Sequence, residues 1–321
     1  MRVKVLFHDS CFDGAASAAI FTRFYRERID GSASFFHQGL AHKGNDPLDE
    51  RLFDGDENAI VDFRYSASGR LTWWFDHHVS AFPNPGEEAH FRADASGRKF
   101  HDPTAKSCTK FLCELARERF GFDDRPLAQL VHWAEVIDGA LFPDARTAVR
   151  LEEPALKLML VIEANPGPGL IPEIIGQMQT ESLEAIVGSP RVAKALAPLL
   201  DEHRATVEMV QRRARLDKGV VFFDVADLNV GALNKFISYE LYPQARYAVS
   251  VSRGPGRAKV SVGSNPWSLE KRTHDLARIC ERYGGGGHPV VGAVSLPRED
   301  LPRARQIAAE IVRELQGGDC R

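Results

Sequence analysis

The chain has 321 residues, of which 44% are hydrophobic and 26% charged, and its net charge is −3. This composition predicts a folded globular protein rather than a disordered or fibrous one, and the length is sufficient for two domains with separate cores. No apolar run approaches the length of a membrane span. A net charge near zero gives no overall signature of nucleic-acid binding.

Two further features predict a cytoplasmic protein. The N-terminus enters a predicted strand within three residues, so we expect no signal peptide. The cysteines are odd in number and lack the spacing of a disulfide framework, so we expect reduced thiols. They are Cys11, Cys108, Cys113, Cys280 and Cys320.

The N-terminal part alternates between strand and helix patterns. This alternation predicts an α/β fold with a mostly parallel, doubly wound sheet and helices on both faces. Strand-like apolar runs lie at 3–8, 33–38, 58–63 and 71–77, and a helix is predicted at 15–28. The polar, Pro- and Gly-rich stretch at 82–101 predicts a surface loop.

Helix patterns dominate the middle of the chain, and strand patterns return after it. The middle helices are predicted at 105–120, 126–138, 151–163, 170–187 and 191–216. Later strands are predicted at 219–225, 247–253, 258–264 and 290–296, with helices near 231–242, 270–282 and 300–316. We therefore predict a domain at 1–190, a helical connector at 191–216 and a smaller C-terminal α/β domain at 217–321.

Ionisable side chains follow the apolar strands of the N-terminal part. Because parallel strands end at one edge of a sheet, we expect these side chains to form one metal-binding rim that suits Mn²⁺ or Mg²⁺. The candidates are His8, Asp13, Asp62, His77 and Asp138. Taken singly, Asp138 could form a turn, Asp13 could cap a helix and His8 could be a core histidine. The run Asp76-His77-His78 after a strand is harder to explain without a metal.

A second cluster is the run Gly284 to Gly287 followed by His288. Successive glycines allow positive φ and close backbone approach, so their N–H groups can bind an anion, and His288 adds a donor. The alternative is a plain turn with an incidental histidine. Further candidates for phosphate binding, most of them better explained as surface residues, are Arg253, Arg257, Arg278 and Arg282.

Together these motifs resemble the DHH-family phosphoesterases with the DHH-associated C-terminal domain, over nearly the whole chain. The matching residues are Asp13-Gly14, Asp62, Asp76-His77-His78, Asp138 and Gly285-Gly286-Gly287-His288. The resemblance implies a two-lobed enzyme with two Mn²⁺ ions in the first lobe. It implies a second lobe that closes over them and binds substrate through the glycine–histidine motif.

The resemblance also implies a role for each residue. Asp62 would bridge the ions, with Asp13, His77 and Asp138 around one of them and His8 near the other. His78 would contact the scissile phosphate or protonate the leaving group, and Asp76 would orient the imidazoles. Substrate would bind to Gly285, Gly286, Gly287 and His288, and the two ions would activate water. Arg253, the nearest arginine upstream of this motif, is our own further candidate for substrate binding.

The sequence departs from the family pattern in two places. Cys11-Phe12-Asp13 replaces the usual Asp-x-Asp. Cys11 could be a thiolate ligand, which favours Zn²⁺ or Fe²⁺, or a passive replacement with Asp9 supplying the carboxylate. We favour Cys11 lying at the site without being an obligatory ligand. The stretch 262–266 lacks the Arg-Ser pair of many nanoRNase-type members.

The function that we predict is a metal-dependent phosphoesterase acting on short oligoribonucleotides or on bisphosphorylated or cyclic nucleotides. With only two lobes expected and no aromatic side chains interleaved with basic ones, a single-strand exonuclease is the second choice. A nucleotide-binding regulator without turnover is the alternative from another class. We expect no membrane association and no stable protein partner, and a homodimer is left open.

Overall fold

The computed structural model describes residues 1–41, 47–165, 167–228, 233–254 and 256–317. The chain forms two compact units, Met1–Phe142 with Leu151–Leu199, and Pro143–Arg150 with Leu200–Arg321. The domain boundaries predicted from the sequence stay a prediction. Cys320 lies outside the described residues. No helix in the described ranges is both long and apolar enough to cross a membrane.

The strands form two sheets, which confirms the predicted α/β class. They are β1 (Arg2–His8), β2 (Ser34–Leu40), β3 (Glu57–Val61), β4 (Trp73–Asp76), β5 (Lys99–His101), β6 (Arg215–Asp217), β7 (Val220–Asp224), β8 (Tyr247–Arg253), β9 (Arg257–Ser264), β10 (Gly286–His288) and β11 (Val291–Pro297). The first sheet has the order β2-β1-β3-β4-β5 and is parallel throughout. The second has the order β10-β11-β9-β8-β7-β6 and is mixed: β7 and β8 are parallel, and the other described pairs are antiparallel.

The helices follow the predicted pattern closely in the middle of the chain. They are α1 (Phe12–Arg28), α2 (Glu87–Arg92), α3 (Cys108–Phe120), α4 (Ala128–Asp138), α5 (Ala145–Arg150), α6 (Pro154–Ala164), α7 (Leu170–Gln177), α8 (Leu183–Gly188), α9 (Pro190–Arg213), α10 (Ile237–Leu241), α11 (Leu276–Glu281) and α12 (Leu301–Leu315). The prediction of one helix at 170–187 is wrong, because Ser182 begins a new helix by accepting a hydrogen bond from Ala185 N.

The prediction of a surface loop at 82–101 is also wrong. This stretch contains α2 and the edge strand β5. Its few aromatic residues are what order it, since Phe82 and Phe91 lie with their ring centroids 5.5 and 5.1 Å from that of Trp74. Because the stretch is mostly polar, its composition did not indicate that these aromatic side chains would pack against Trp74.

Helix α1 lies close against the end of β1 at its first turn, whereas the larger Phe21, Phe24 and Tyr25 further along the helix pack against Trp73 of the sheet. Ala15, Ala16, Ala18 and Ala19 are all buried. Gly14 is required at the closest point, since a Cβ there would lie 2.2 Å from the carbonyl oxygen of His8. The absence of that Cβ lets the first turn of α1, which carries Asp13, approach the end of β1.

Unit 2 has its own core, between the second sheet and α11 and α12. Buried side chains of the strands, such as Val249 and Val260, pack in one cluster with Ile307 and Ile311 of α12. Burial of apolar surface contributes about 25 cal/mol per Å², so this cluster stabilises unit 2 together with a second cluster that contains Val221, Phe223 and Ile237.

Candidate metal centre

The candidate site begins where three neighbouring strands end. Phe7 of β1 is level with Val61 of β3, and Val61 is level with Phe75 of β4. The next residues, His8, Asp62 and Asp76, therefore lie side by side at the C-terminal edge of the parallel sheet. This is the edge at which α/β folds bind ligands.

Asp62 is the centre of this arrangement. Its Oδ2 lies 3.5 Å from His8 Nδ1 and 3.6 Å from Cys11 Sγ. Its Oδ1 lies 3.4 Å from His77 Nε2 and 3.9 Å from His78 Nδ1. One buried carboxylate thus faces a different set of potential ligands with each oxygen.

A second group forms around His77. Its Nε2 lies 3.8 Å from Asp13 Oδ2 and 3.3 Å from Asp138 Oδ2. Asp13 is in the first turn of α1 and Asp138 is the last residue of α4. The structure therefore brings together all five of the metal-ligand candidates predicted from the strand and helix ends.

Hydrogen bonds fix the two histidines. His77 Nδ1 donates to the Ala105 carbonyl at 3.1 Å, which turns Nε2 towards the carboxylates. Asp76 Oδ1 accepts from His78 Nδ1 at 2.7 Å and from the His77 backbone N–H at 2.9 Å. Such outer partners set the tautomer and direction of a ligating imidazole.

Asp13 is held by the N-terminus of another helix. Its oxygens accept from the backbone N–H groups of Cys108 at 2.6 Å and Thr109 at 3.0 Å, the first residues of α3. Sequence reasoning missed these contacts and the Ala105 carbonyl. Ser107, an N-cap residue, marked the free amides at the start of α3, but nothing in the sequence named Asp13 as their partner.

Crowding of charge shifts the titration of these groups. Burial, together with the neighbouring carboxylate of Asp62, raises the pKa values of Asp13 and Asp138. Burial alone would raise the pKa of Asp62 as well, but His77 and His8 outweigh it and lower that pKa to about 2. Burial and the nearby carboxylates of Asp62 and Asp13 raise the pKa of the Cys11 thiol.

The histidines respond in the opposite sense. Burial alone would lower the pKa of His77, but its contacts with Asp62 and Asp13 outweigh that effect and raise it to about 10. The hydrogen bond to Asp76 raises the pKa of His78. Excess negative charge at the site therefore favours positive charge on the imidazoles. A divalent cation would neutralise the same carboxylates.

Three buried atoms of the cluster make no hydrogen bond within the described part of the chain. They are Asp62 Oδ1, Asp76 Oδ2 and His77 Nε2. Buried polar atoms normally have a partner. His8, Cys11 and Asp62 form one group with ligand atoms within 4.8 Å of one another, and Asp13, His77 and Asp138 form another. The residues present therefore fit a metal centre.

The alternative ligand Asp9 lies elsewhere. Its carboxylate accepts from Ser10 N at 2.9 Å and from Asn165 Nδ2 at 3.2 Å, and it packs over Gly39. It borders a small cavity with Asn165 and Gly167, and it belongs to none of the metal-ligand groups of the described residues. Cys11, by contrast, points into the centre.

In unit 2 the glycine–histidine motif is part of a strand. Gly286–His288 is β10, which pairs with β11, so the motif is not only a loop between helix and strand. Gly285 and Gly287 are required for this pairing, since a Cβ on either would lie 2.2 Å from a carbonyl oxygen of β11. His288 is exposed. Anion binding by the motif stays a prediction.

The structure does not bring Arg253 to this motif. His288 is level with Val291, Gly263 and Ala248 across the sheet. Arg253 lies five residues further along β8, about 17 Å away in the strand direction alone. Its assignment to substrate binding stays a prediction.

The chain matches no family model and no curated protein sequence. Among solved structures, the pGpG-specific phosphodiesterase PggH of Vibrio cholerae matches with a TM-score of 0.71 at 19% identity, over 99% of both chains. A DHH-domain protein, described as a member of a family of ribosomal proteins, matches with a TM-score of 0.60 at 14% identity, over 97% of this chain and 86% of that one.

RecJ of Thermus thermophilus in complex with Mn²⁺ matches with a TM-score of 0.53 at 15% identity. That match covers 97% of this chain and 52% of RecJ. At such identities the matches show a shared fold, and they do not by themselves assign an activity.

Proposed function

We propose that this chain, which has the fold of the DHH-family phosphoesterases over nearly its whole length, is a metal-dependent hydrolase of phosphate esters in short nucleotides. The observation that carries the proposal is the cluster around Asp62. Its two oxygens face separate sets of ligand atoms, and its Oδ1 is buried without a hydrogen bond to any described residue. A shared carboxylate between two ligand sets is what a two-metal site requires.

The ligand sets indicate which residues hold each ion. Asp13, His77 and Asp138 would hold one ion, His8 would contribute to the other, and Asp62 would be shared. Mn²⁺ accepts both carboxylate and imidazole ligands, and Mg²⁺ suits the carboxylates. When bound, the ions would activate water and neutralise charge on the phosphate oxygens.

Asp76 and His101 orient His78, and the imidazole of His78 carries the proton that is exchanged. Asp76 holds Nδ1 of His78, which leaves Nε2 of His78 as the atom that exchanges a proton with the leaving-group oxygen. The His78 side chain is 34% exposed, so a substrate can reach it. His101 Nε2 donates to the His78 carbonyl at 2.9 Å and keeps that backbone in place.

A short nucleotide is the substrate class that we favour. The match to PggH, described as specific for pGpG, covers 99% of both chains and supports a small substrate. Candidate substrates are oligoribonucleotides of a few residues and bisphosphorylated or cyclic nucleotides. Single-strand exonuclease activity is the second candidate, on the sequence grounds given above.

Turnover by metal-stripped protein tests the proposal. The protein is given Mn²⁺, Mg²⁺, Zn²⁺ or Fe²⁺ in turn and assayed with a dinucleotide, a 3′,5′-bisphosphate, a cyclic dinucleotide and a longer single strand. We expect Mn²⁺-dependent hydrolysis of at least one small substrate. Preferred cleavage of the longer strand would support the exonuclease instead.

His77→Ala should lower kcat at least about 100-fold and reduce metal content, because it removes a ligand at the centre of the site. His132→Ala is the matched control, since His132 lies on α4 and belongs to none of the ligand groups of the described residues. Retained activity in His77→Ala would contradict the assignment. Nucleotide binding without product in every metal would support a regulator without turnover.

A further inference from the structure

We propose that the sulfur of Cys11 is a ligand of the ion held by His8 and Asp62, and that it makes this position selective for Zn²⁺ over Mn²⁺. The inference rests on the metal centre of the proposed function. It adds a chemical difference between the two metal positions, so that one chain would hold two different ions.

The position of Cys11 supports ligation. Cys11 is the N-cap residue of α1, yet its side chain makes no capping hydrogen bond. Its Sγ lies instead 3.6 Å from Asp62 Oδ2, the same oxygen that lies 3.5 Å from His8 Nδ1. The three ligand atoms lie within 4.8 Å of one another.

These separations fit a tetrahedral ion. Zn²⁺ binds sulfur at about 2.3 Å and nitrogen or oxygen at about 2.1 Å, so the ligand atoms of a tetrahedral site lie about 3.4 to 3.6 Å apart. The S–O distance of 3.6 Å and the N–O distance of 3.5 Å are of this size. The third separation, between the sulfur of Cys11 and a ring nitrogen of His8, is below 4.8 Å, so a single ion can contact all three residues if these two side chains draw together around it.

The carboxylate of Asp9 does not replace Cys11 as a ligand of this ion. Asp9 is directed at Ser10 N and Asn165 Nδ2 and packs over Gly39. Among the described residues, no other group of metal-ligand atoms contains His8. Cys11 is thus the side chain that completes the ligand set on this side of Asp62.

The two ligand sets differ in softness. His8, Cys11 and Asp62 offer nitrogen, sulfur and oxygen, a mixture typical of Zn²⁺ sites. Asp13, His77 and Asp138 offer two carboxylates and one imidazole, and the shared Asp62 adds a third carboxylate. That set suits the harder Mn²⁺ or Mg²⁺. Selectivity would therefore differ between the two positions.

Binding at Cys11 requires the thiol to lose its proton. The S–H bond breaks, the proton passes to solvent, and a sulfur lone pair forms the bond to the ion, with no change of oxidation state. The competing explanation of the 3.6 Å contact is a hydrogen bond from the thiol to Asp62. Cys11→Ser keeps such a hydrogen bond and removes the sulfur, so the two explanations can be separated.

The test is titration of the metal-free full-length protein with Co²⁺, a spectroscopic substitute for Zn²⁺. Wild type and the control Cys280→Ala, whose changed cysteine lies in unit 2, should show the near-ultraviolet charge-transfer absorption of a cobalt–thiolate bond. Cys11→Ser and Cys11→Asp should bind Co²⁺ without that absorption. After dialysis against equimolar Zn²⁺ and Mn²⁺, the bound Zn²⁺/Mn²⁺ ratio should be at least about tenfold lower in Cys11→Asp than in wild type.

Each contrary outcome has a distinct meaning. If wild type binds Co²⁺ without the absorption, or if Cys11→Ser retains it, the sulfur of Cys11 is not a ligand and this inference is overturned while the metal centre is kept. If wild type binds no divalent ion at all, both the inference and the proposed function are overturned.

Discussion

At the scale of single residues, Asp62 is constrained in both backbone and side chain. Its φ is +56°, in the left-handed region that residues other than glycine rarely adopt. Such a backbone costs about 1–3 kcal/mol, and aspartate and asparagine tolerate it best. The backbone turn directs a buried carboxylate at four potential ligands, which gives a functional reason for the strain.

Asp138 allows a test of whether a metal-binding carboxylate lowers the stability of the metal-free fold. It is the last residue of α4, where a negative charge is unfavourable, and burial and Asp62 raise its pKa. Its ionised form therefore destabilises the metal-free fold at any pH above its pKa. We predict that Asp138→Asn raises the free energy of unfolding in chelator by about 1 kcal/mol near pH 8.

Bound metal should stabilise the Asp138→Asn variant less than it stabilises wild type. Because it lacks a ligand, Asp138→Asn should gain less in melting temperature from Mn²⁺ than wild type does. Its advantage in chelator should shrink as the pH falls below the pKa of Asp138. Asp201→Asn, an exposed change on α9, is the control and should alter neither quantity measurably. A metal-free Asp138→Asn that is less stable than wild type would contradict this account.

At the scale of elements, the approach of α1 to β1 depends on Gly14. A methyl group there would meet the His8 carbonyl, so the helix or the strand must shift. We predict that Gly14→Ala lowers the free energy of unfolding by about 1–3 kcal/mol and weakens metal binding, because His8 and Asp13 move apart. Denaturant unfolding and metal titration measure the two effects.

Gly176→Ala provides the matched control for Gly14→Ala. Gly176 is in α7, and a Cβ there would meet no atom of the described residues within 4 Å. Alanine favours helix over glycine, so this variant should be as stable as wild type or more stable by up to about 1 kcal/mol. Equal stability losses in the two variants would show that the contact with His8 is not the cause.

His37 of β2 contacts α1, and its titration should make the free energy of unfolding depend on pH independently of the metal centre. Its Nε2 bonds to Thr22 Oγ1 at 2.8 Å, and burial lowers the pKa of His37 to about 4. Because the folded pKa lies below the ordinary value of 6.5, the neutral form is the one that folding favours. Stability from this group is therefore complete above about pH 6.5 and is lost as the pH falls towards 4.

His37→Gln removes the titration and keeps a donor for Thr22. Between about pH 7 and pH 5, wild type should lose about 2 kcal/mol more unfolding free energy than this variant does. Denaturant unfolding at the two pH values measures the difference. Parallel pH profiles for wild type and variant would show that His37 does not titrate in this way.

The elements that sequence reasoning found and missed differ in a physical way. Strand ends at His8 and Asp62 were predictable because an apolar run that stops at an ionisable residue is a local signal. The contact between Asp13 and the amides of α3 joins residues about a hundred positions apart, and no local pattern encodes it. Strand β10 was not predicted because glycines are uncommon in strands. It pairs with β11 because its glycines allow the two backbones to approach closely.

At the scale of the whole molecule, the proposed function assigns different tasks to the two units. The candidate metal ligands lie in unit 1, and the glycine–histidine motif lies in unit 2. If the motif binds substrate, His288→Ala should lower kcat/KM for nucleotides about tenfold with metal content unchanged. Leu269→Ala, a fully exposed change in unit 2, is the control. Loss of metal in His288→Ala would show that this division of tasks is wrong.

The central claim is a metal centre in which Asp62 contacts two ions. Anomalous diffraction from crystals of the protein grown with both Mn²⁺ and Zn²⁺ tests it most directly, because it locates an ion at either position, whichever metal that position selects, without reference to any substrate. We expect two peaks about 4 Å apart, with Asp62 between them, His77 at one and His8 at the other. A single peak, or peaks away from Asp62, would contradict it.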